Sequence, residues 1–143
     1  MTIKGNFKTI LAGVDGSDNS DIAFTEAVEL AKRLGAVLHV VEVVDNLHSA
    51  MPKDTVETQK ELAFERLKDY VERAKDLGLS ESIHISVEVG NPKNLLTDTL
   101  PERLNVDLIV IGATGKHFFK NSYLGSVSDY VANNAKCSVL VSR

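Results

Sequence analysis

The stretch from Gly112 to Tyr130, GATGKHFFKNSYLGSVSDY, contains the residues best suited to holding an anionic ligand. Two glycines stand three positions apart, and a Gly125-Ser126 pair follows after nine intervening residues. Glycine lacks the Cβ atom that would hold a ligand away from the backbone, and it adopts conformations that other residues resist. A helix beginning at Ser126 would add free N–H groups, a hydroxyl and the positive end of its dipole. The spacing therefore predicts a cradle for phosphate.

A simpler interpretation of the same residues needs no ligand. Ser126 and Asp129, in SVSD, have the spacing of a capping box, which satisfies the start of a helix by itself. Two further features favour the phosphate cradle: a second hydroxyl at Ser128 and the positive charges of Lys116 and Lys120. The stretch matches neither a Walker loop, since no Ser or Thr follows its Gly-Lys pair, nor the GxGxxG motif. On the residues alone, both interpretations stay open.

The other residues able to do chemistry indicate no second site. No G-x-S-x-G elbow precedes a helix, so a hydrolase triad has no anchor. The histidines show no paired spacing that would seat a metal on one helix, and we predict no metal-ligating residues: they are His39, His48, His84 and His117. His39 lies in an apolar strand and is expected to be a packed core histidine. Cys137 alternates with two valines and is expected to be a small packing residue.

Composition restricts the class of protein. A chain of 143 residues with 43% hydrophobic and 25% charged residues fits one globular domain, from residue 1 to residue 143. A net charge of −4 and the lack of a long basic block argue against nucleic-acid binding. One cysteine excludes an intrachain disulfide, and no stretch approaches the roughly 20 apolar residues of a membrane span. We expect a soluble, cytoplasmic, single-domain protein without a membrane partner.

Strand and helix patterns alternate along the chain. Five strands are predicted, at Thr9–Val14, Ala36–Val44, Ser82–Val89, Asp107–Gly112 and Ser138–Ser142. Four helices are predicted: from Ser17 or Asp18 to Leu34, from about Asp54 to Leu77, from Asn91-Pro92 onwards, and from Ser126 to about Asn134. Pro101 is expected to kink or end the third helix, because proline has no N–H to donate.

This alternation predicts an α/β three-layer sandwich with a five-stranded parallel sheet of order 3-2-1-4-5, a flavodoxin-like or adenine nucleotide alpha hydrolase-like fold. The third strand alternates apolar and polar residues, so it should have one buried and one wet face. Ligands of open α/β sheets bind where the strand order reverses, here between strands one and four. Asp15 follows strand one and the glycine loop follows strand four, so both should meet there. A receiver-type phosphoacceptor role for Asp15 is disfavoured because strand three ends in VGNP, without a carboxylate.

The motif Gly-x2-Gly-x9-Gly-Ser, followed by VSDYVANNAKCSVLV, resembles the signature of the universal stress protein family. The resemblance extends to ILAGVDGSDNSDIAFTEAVELAKRLGAVLHVVEVV and so covers nearly the whole chain. It implies membership of the ATP-binding subgroup and binding of ATP, or of ADP or AMP. It also implies that Mg²⁺ or Mn²⁺, when present, is held mainly by the phosphates.

The resemblance also implies a set of binding residues. Adenine and ribose contacts are implied for Gly13, Val14 and Asp15, and packing against the base for Val40. Ribose and phosphate contacts are implied for Gly112, Thr114, Gly115, Gly125, Ser126, Val127 and Ser128. No catalytic residue is implied, and no base is convincingly placed to activate water.

The last strand suggests self-association. CSVLVS would lie at a sheet edge with little charge or proline to protect it, and such edges pair with other chains. A homodimer through this strand is therefore expected, and the family resemblance implies the same. The expected function is a nucleotide-dependent sensor or regulator of stress. Two alternatives stay open: a slow ATPase or self-phosphorylating enzyme, and a scaffold dimer without a ligand.

Overall fold

The structure, a computed structural model, describes residues 6–46, 51–114 and 124–143. Five strands form one parallel sheet in the order β3-β2-β1-β4-β5: β1 (Thr9–Gly13), β2 (Val37–Val44), β3 (Ile83–Val89), β4 (Leu108–Gly112) and β5 (Ser138–Ser142). The helices are α1 (Asp18–Leu34), α2 (Lys53–Asp76), α3 (Pro92–Asn94), a π turn (Leu95–Thr99), α4 (Leu100–Leu104) and α5 (Ser126–Asn134). The predicted sheet and its order are confirmed.

Two apolar cores lie on opposite faces of the sheet. Core one packs the sheet against α1 and α2, and its largest fully buried members are Ile10, Phe24, Val28, Leu38, Val40, Leu67 and Val110. Core two packs the other face against the helices after β3, and contains Leu11, Val41, Leu96, Leu100, Ile109, Ile111 and Val131. Cys137 is half-buried against core two, which confirms its predicted packing role. Burial raises the pKa of its thiol.

Helix α1 begins and ends as its sequence predicts. The Oγ of Ser17 accepts from the backbone N–H of Ser20 at 3.3 Å, so Ser17 is the N-cap. Gly35 follows with φ of 65°, a left-handed conformation that glycine adopts without strain. Phe24 and Val28 are buried along with Ala23, Ala27 and Ala31, and these residues form the face of α1 that packs on core one.

The segment after β3 continues past Pro101, which excludes one of the two outcomes predicted there, the end of the helix. Asn91 caps α3 as expected, its Oδ1 accepting from the N–H of Lys93 at 2.9 Å. The helical path does not end near Pro101 but continues through α4 to Leu104. Immediately before the proline the chain widens into the π turn, Leu95–Thr99. A wide turn relieves the clash between the proline ring and the preceding turn, so the helix is rewound rather than stopped.

Helix α2 is buried only along its second half. Its buried residues are Ala63, Leu67, Tyr70 and Ala74, whereas the turns before Ala63 contain none. The helix therefore extends past core one at the carboxyl edge of the sheet, where the candidate site lies. Of the helices in the described ranges, none is long and apolar enough to cross a membrane.

Candidate functional site

The carboxyl ends of β1 and β4 lie side by side, and the chain leaves them in opposite directions. Gly13 pairs with Ile111 in the parallel register, so the segments after both strands start from the same point of the edge. A hydrogen bond between described residues joins these segments: Nδ2 of Asn19, in the first turn of α1, donates to Oγ1 of Thr114 at 2.5 Å. The predicted switch point thus exists, and Thr114 stands at its centre.

Gly112 lies at the closest backbone approach in this region. A Cβ atom at this position would come within 2.8 Å of the backbone carbon and oxygen of Asn19. The lack of a side chain at Gly112 is therefore accounted for by packing against α1. At Gly13 a Cβ would come within 3.2 Å of the Leu96 side chain, which is able to move aside. Both glycines bring the two strand ends and α1 together at the crevice.

The start of α5 is open, which corrects the capping interpretation. Gly125, not Ser126, occupies the N-cap position, and no side chain among the described residues caps the helix. Ser126 is the first helical residue and is exposed, so the capping box with Asp129 does not form. The first N–H groups of a helix have no acceptor within the helix, so those of α5 receive no side-chain acceptor from its N-cap residue. The N–H of Gly125 donates to the carbonyl of Ala113 at 2.7 Å and fixes this position beside β4.

Ser128 has a structural partner of its own. Its side chain is buried, and its Oγ donates to the carbonyl of Gly112 at 2.5 Å. That bond joins the first turn of α5 to the end of β4. Val127 is partly buried against core two. Of the residues predicted at the start of α5, Ser126 is the one whose side chain is exposed towards solvent.

The end of β1 presents Asp15 and buries its neighbour. Val14 is 5% exposed and its N–H donates to the carbonyl of Val41 at 2.9 Å. Asp15 is partly exposed, and its Oδ1 accepts from the N–H of Ser17 at 2.9 Å. Its own N–H donates to Oγ of Ser20 at 3.2 Å. Asp15 is therefore oriented by the first turn of α1.

The structure does not bring Val40 to the crevice. Its side chain is 0% exposed and belongs to core one, beneath the sheet. Its strand partner in the register is Ala12, not the residues at the end of β1. Val40 therefore contacts no surface that a ligand could reach in this conformation. Gly115 lies outside the described residues.

An ion pair beside the crevice was not predicted from the sequence. Glu42, on β2, is 3% exposed, and both of its oxygens accept from Nε of Arg66, on α2, at 3.0 and 3.1 Å. Arg66 passes over Gly16, where a Cβ would come within 3.3 Å of its Cδ. The hydrogen bond to Glu42, with the nearby charge of Asp15, raises the pKa of Arg66. The one signal in the sequence was a glutamate inside an apolar strand, which is costly to bury unpaired.

A second network ties α1 to α2 behind Asp15. The hydroxyl of Tyr70 donates to Asp21 and lies 3.4 Å from Oγ of Ser20, the group that also accepts from Asp15. Arg73 adds an ion pair to Asp21 at 3.4 Å. Burial and the bond to Asp21 raise the pKa of Tyr70. This side of the crevice is held in place by its own side chains.

A parallel sheet of this order with helices on both faces defines an α/β protein of the class that binds ligands at a switch point. Residues 6–143 match the family model described as "Universal stress protein family", and the chain belongs to this family. A relative in Staphylococcus haemolyticus (strain JCSC1435) that carries the family name is 37% identical over 141 residues, covering 96% of this chain and 85% of its own length.

Two solved structures give the same assignment. The universal stress protein UspA from Lactobacillus plantarum is 31% identical with a TM-score of 0.80, and the match covers 95% of this chain and 97% of that one. A universal stress protein in complex with cAMP is 28% identical with a TM-score of 0.73, covering 96% and 97%. The family resemblance of the sequence is thereby confirmed.

Proposed function

We propose that this chain binds an adenine nucleotide, ATP foremost, at the switch point between β1 and β4 and works as a nucleotide-dependent sensor or regulator of stress. The observation that carries the proposal is the uncapped start of α5. Its N–H groups and the exposed hydroxyl of Ser126 offer donors where the helix dipole favours an anion. Gly125 holds this helix end against β4.

The remaining contacts follow from the positions of the strand ends. Thr114 is hydrogen-bonded to Asn19 in the first turn of α1, and Gly13 pairs with Ile111 at the neighbouring strand end. These contacts support the proposal that ribose and base bind towards the end of β1 and the phosphates towards the start of α5. The relative solved with cAMP binds a ligand of the same chemical class. Gly115, which lies outside the described residues, is proposed to contact the phosphates, as the family resemblance implies.

A divalent ion, Mg²⁺ or Mn²⁺, would take most of its ligands from the nucleotide. Among the residues that the structure describes, no three His, Cys, Asp or Glu side chains group into a metal site. When bound, such an ion neutralises phosphate charge; the chain itself contributes the helix start and the hydroxyls of Ser126 and Thr114. Mg²⁺ commonly binds in this way, through phosphates and water.

Calorimetric titration of nucleotide-free protein with ATP and Mg²⁺ tests the proposal, with Ser126→Asp and Ser80→Asp compared. Both variants add one negative charge at an exposed serine, but Ser80 follows α2 at the far edge of the sheet. We expect wild type and Ser80→Asp to bind alike, and Ser126→Asp to lose about tenfold or more, because a carboxylate at the helix start repels phosphate. Equal binding by all three, or no saturable binding by folded, verifiably empty wild type, contradicts the site.

Gly125→Val serves as the second disruption of the cradle. A branched side chain at the N-cap faces the proposed phosphates and should abolish binding in a protein that still folds. Titrations with ATP, ADP, AMP and cAMP then show how the affinity depends on the phosphates of the nucleotide. Release of phosphate from ATP by the wild type, above the level seen with Gly125→Val, would support the alternative that the protein is a slow ATPase.

We also propose a homodimer through β5. This strand is an outer strand of the sheet, and its middle residues Val139, Leu140 and Val141 are partly exposed. Light scattering of Leu140→Lys tests it, beside Leu62→Lys, which changes an exposed leucine on α2. The wild type and Leu62→Lys should show twice the 15.6 kDa chain mass, and Leu140→Lys the mass of one chain. A monomeric wild type would end this proposal without touching the nucleotide site.

A further inference from the structure

Two histidines meet on a sheet face away from the crevice. His39 on β2 and His84 on β3 are direct partners in the parallel register, so their side chains project from the same face. Their ring centres lie 5.1 Å apart, with 26° between the ring planes. About 16 Å of strand separates His39 from Val44, where β2 ends, so the pair is distinct from the candidate nucleotide site.

Both imidazoles have nitrogens available to a ligand. His84 is exposed and His39 is partly buried, so the expectation of a packed core histidine is wrong for His39. Neither ring hydrogen-bonds to a described residue. The described side chains with a buried polar atom lacking a partner are Asn46 and Thr97, which leaves the ring nitrogens of His39 open to water. Burial, with the charge of His84, lowers the pKa of His39 and favours the neutral ring that ligates metals.

We propose that His39 and His84 together bind a divalent transition-metal ion of the Zn²⁺, Ni²⁺ or Cu²⁺ type. Imidazole is a preferred ligand of these ions. A Zn²⁺ ion about 2.0 Å from one nitrogen of each ring, at a tetrahedral angle, holds the ring centres about 5 Å apart. The observed separation is 5.1 Å, so the two rings already lie at this distance, although they are stacked and their nitrogens do not converge. A rotamer change of the exposed His84 side chain, which takes its ring out of the stack, would direct its nitrogen to the ion.

The site offers two protein ligands and leaves the other positions to water. Glu88 follows on the same face of β3, but Nη1 of Arg103 holds its carboxylate at 2.7 Å. Two-ligand binding is reversible and weaker than a closed structural site, which has four. Because its ligands stand on neighbouring strands, the ion would fasten the edge strand β3 to β2 and stabilise the folded state.

Zinc titration of the chelator-treated full-length chain, without nucleotide, tests the pair. Calorimetry and imidazole NMR signals are followed in the wild type, His84→Gln, and the double variant His48→Gln/His117→Gln. The double variant removes the other histidines and keeps the pair. His84→Gln alters an exposed position and should fold, which circular dichroism verifies. His39→Gln is a second probe of the same site.

We expect one Zn²⁺ per chain in the wild type and in the double variant, with both paired imidazoles shifted. His84→Gln should lose affinity by about tenfold or more, since even indirect supports of metal ligands are worth that much. Zinc should also raise the melting temperature of the wild type but not that of His84→Gln. Unchanged affinity in His84→Gln, or no saturable binding by folded wild type, would show a packed ring pair only and overturn the proposal. Neither result bears on the nucleotide site.

Discussion

The two sides of the crevice satisfy their polar groups differently. On the side of β1, β2, α1 and α2, the charges have protein partners: Arg66 holds Glu42, and Tyr70 holds Asp21. On the side of β4 and α5, the helix begins at Gly125 with no side-chain cap and an exposed Ser126. The first side, which we call the finished side, pairs its own polar groups, and the second, the open side, is where we propose that a ligand binds. The contrast suggests that rigidity on one side supports recognition on the other.

The largest effect is expected where the two sides join, at Gly112→Ala. The new Cβ would lie 2.8 Å from the Asn19 backbone, which cannot move without shifting α1. We expect a loss of about 3 kcal/mol in the free energy of unfolding, measured by urea denaturation. Gly13→Ala is the matched control at about 1 kcal/mol, because there the Cβ meets the movable Leu96 side chain. Equal losses would show that the join is not rigid.

On the finished side, Arg66→Ala should remove the partner of a buried carboxylate. Glu42 is 3% exposed, so its charge would be left uncompensated. We expect the free energy of unfolding to fall by about 2 kcal/mol. This is less than the roughly 3–5 kcal/mol usual for breaking a buried ion pair, because the Arg66 side chain is 35% exposed and water can reach the carboxylate. The double variant Arg66→Ala/Glu42→Gln should recover part of it. A double variant no better than the single one would mean that Arg66 acts through packing alone.

The sequence predicted those features of the fold that local patterns determine, and it missed contacts between distant residues. Strand order follows from apolar runs, and the ends of α1 from Ser17 and Gly35, because these signals act over a few residues. The pair Glu42–Arg66 was not predictable in this way, since its partners are 24 positions apart on different elements. Val40 was assigned to the site by resemblance, but the strand register turns its side chain into core one.

On the open side, Ser128→Ala separates stability from binding. The hydroxyl of Ser128 donates to the buried carbonyl of Gly112, so its loss should cost about 1.5 kcal/mol in thermal unfolding experiments. Nucleotide affinity should fall less than in Ser126→Asp, because the Ser128 hydroxyl serves the β4–α5 contact. A large loss of affinity with unchanged stability would assign this hydroxyl to the ligand instead.

Tyr70→Phe tests the finished side through its pH dependence. The pKa of Tyr70 in the folded protein is raised above its ordinary value of 10.0. Its contribution to the free energy of unfolding is therefore complete below pH 10.0 and declines as the pH rises towards the folded pKa. We expect the substitution to cost about 1 kcal/mol at neutral pH. It should also flatten the decline in stability above the ordinary pKa. Urea denaturation across the alkaline range measures both, and an unchanged alkaline slope would contradict the raised pKa.

The smallest effect on stability is expected for Ser126→Asp. This variant tests the comparison of the two sides most sharply, because its stability should rise while its affinity for nucleotide falls. In Ser126→Asp a negative charge enters the first turn of an uncapped helix, where the dipole favours it. We expect a gain of about 0.5 kcal/mol in the free energy of unfolding without nucleotide, measured at low ionic strength. The same carboxylate repels phosphate, so the variant should be more stable when empty and gain less from ATP. A loss of stability instead would mean that the start of α5 already has its donors satisfied, which would remove the main support for an anion site there.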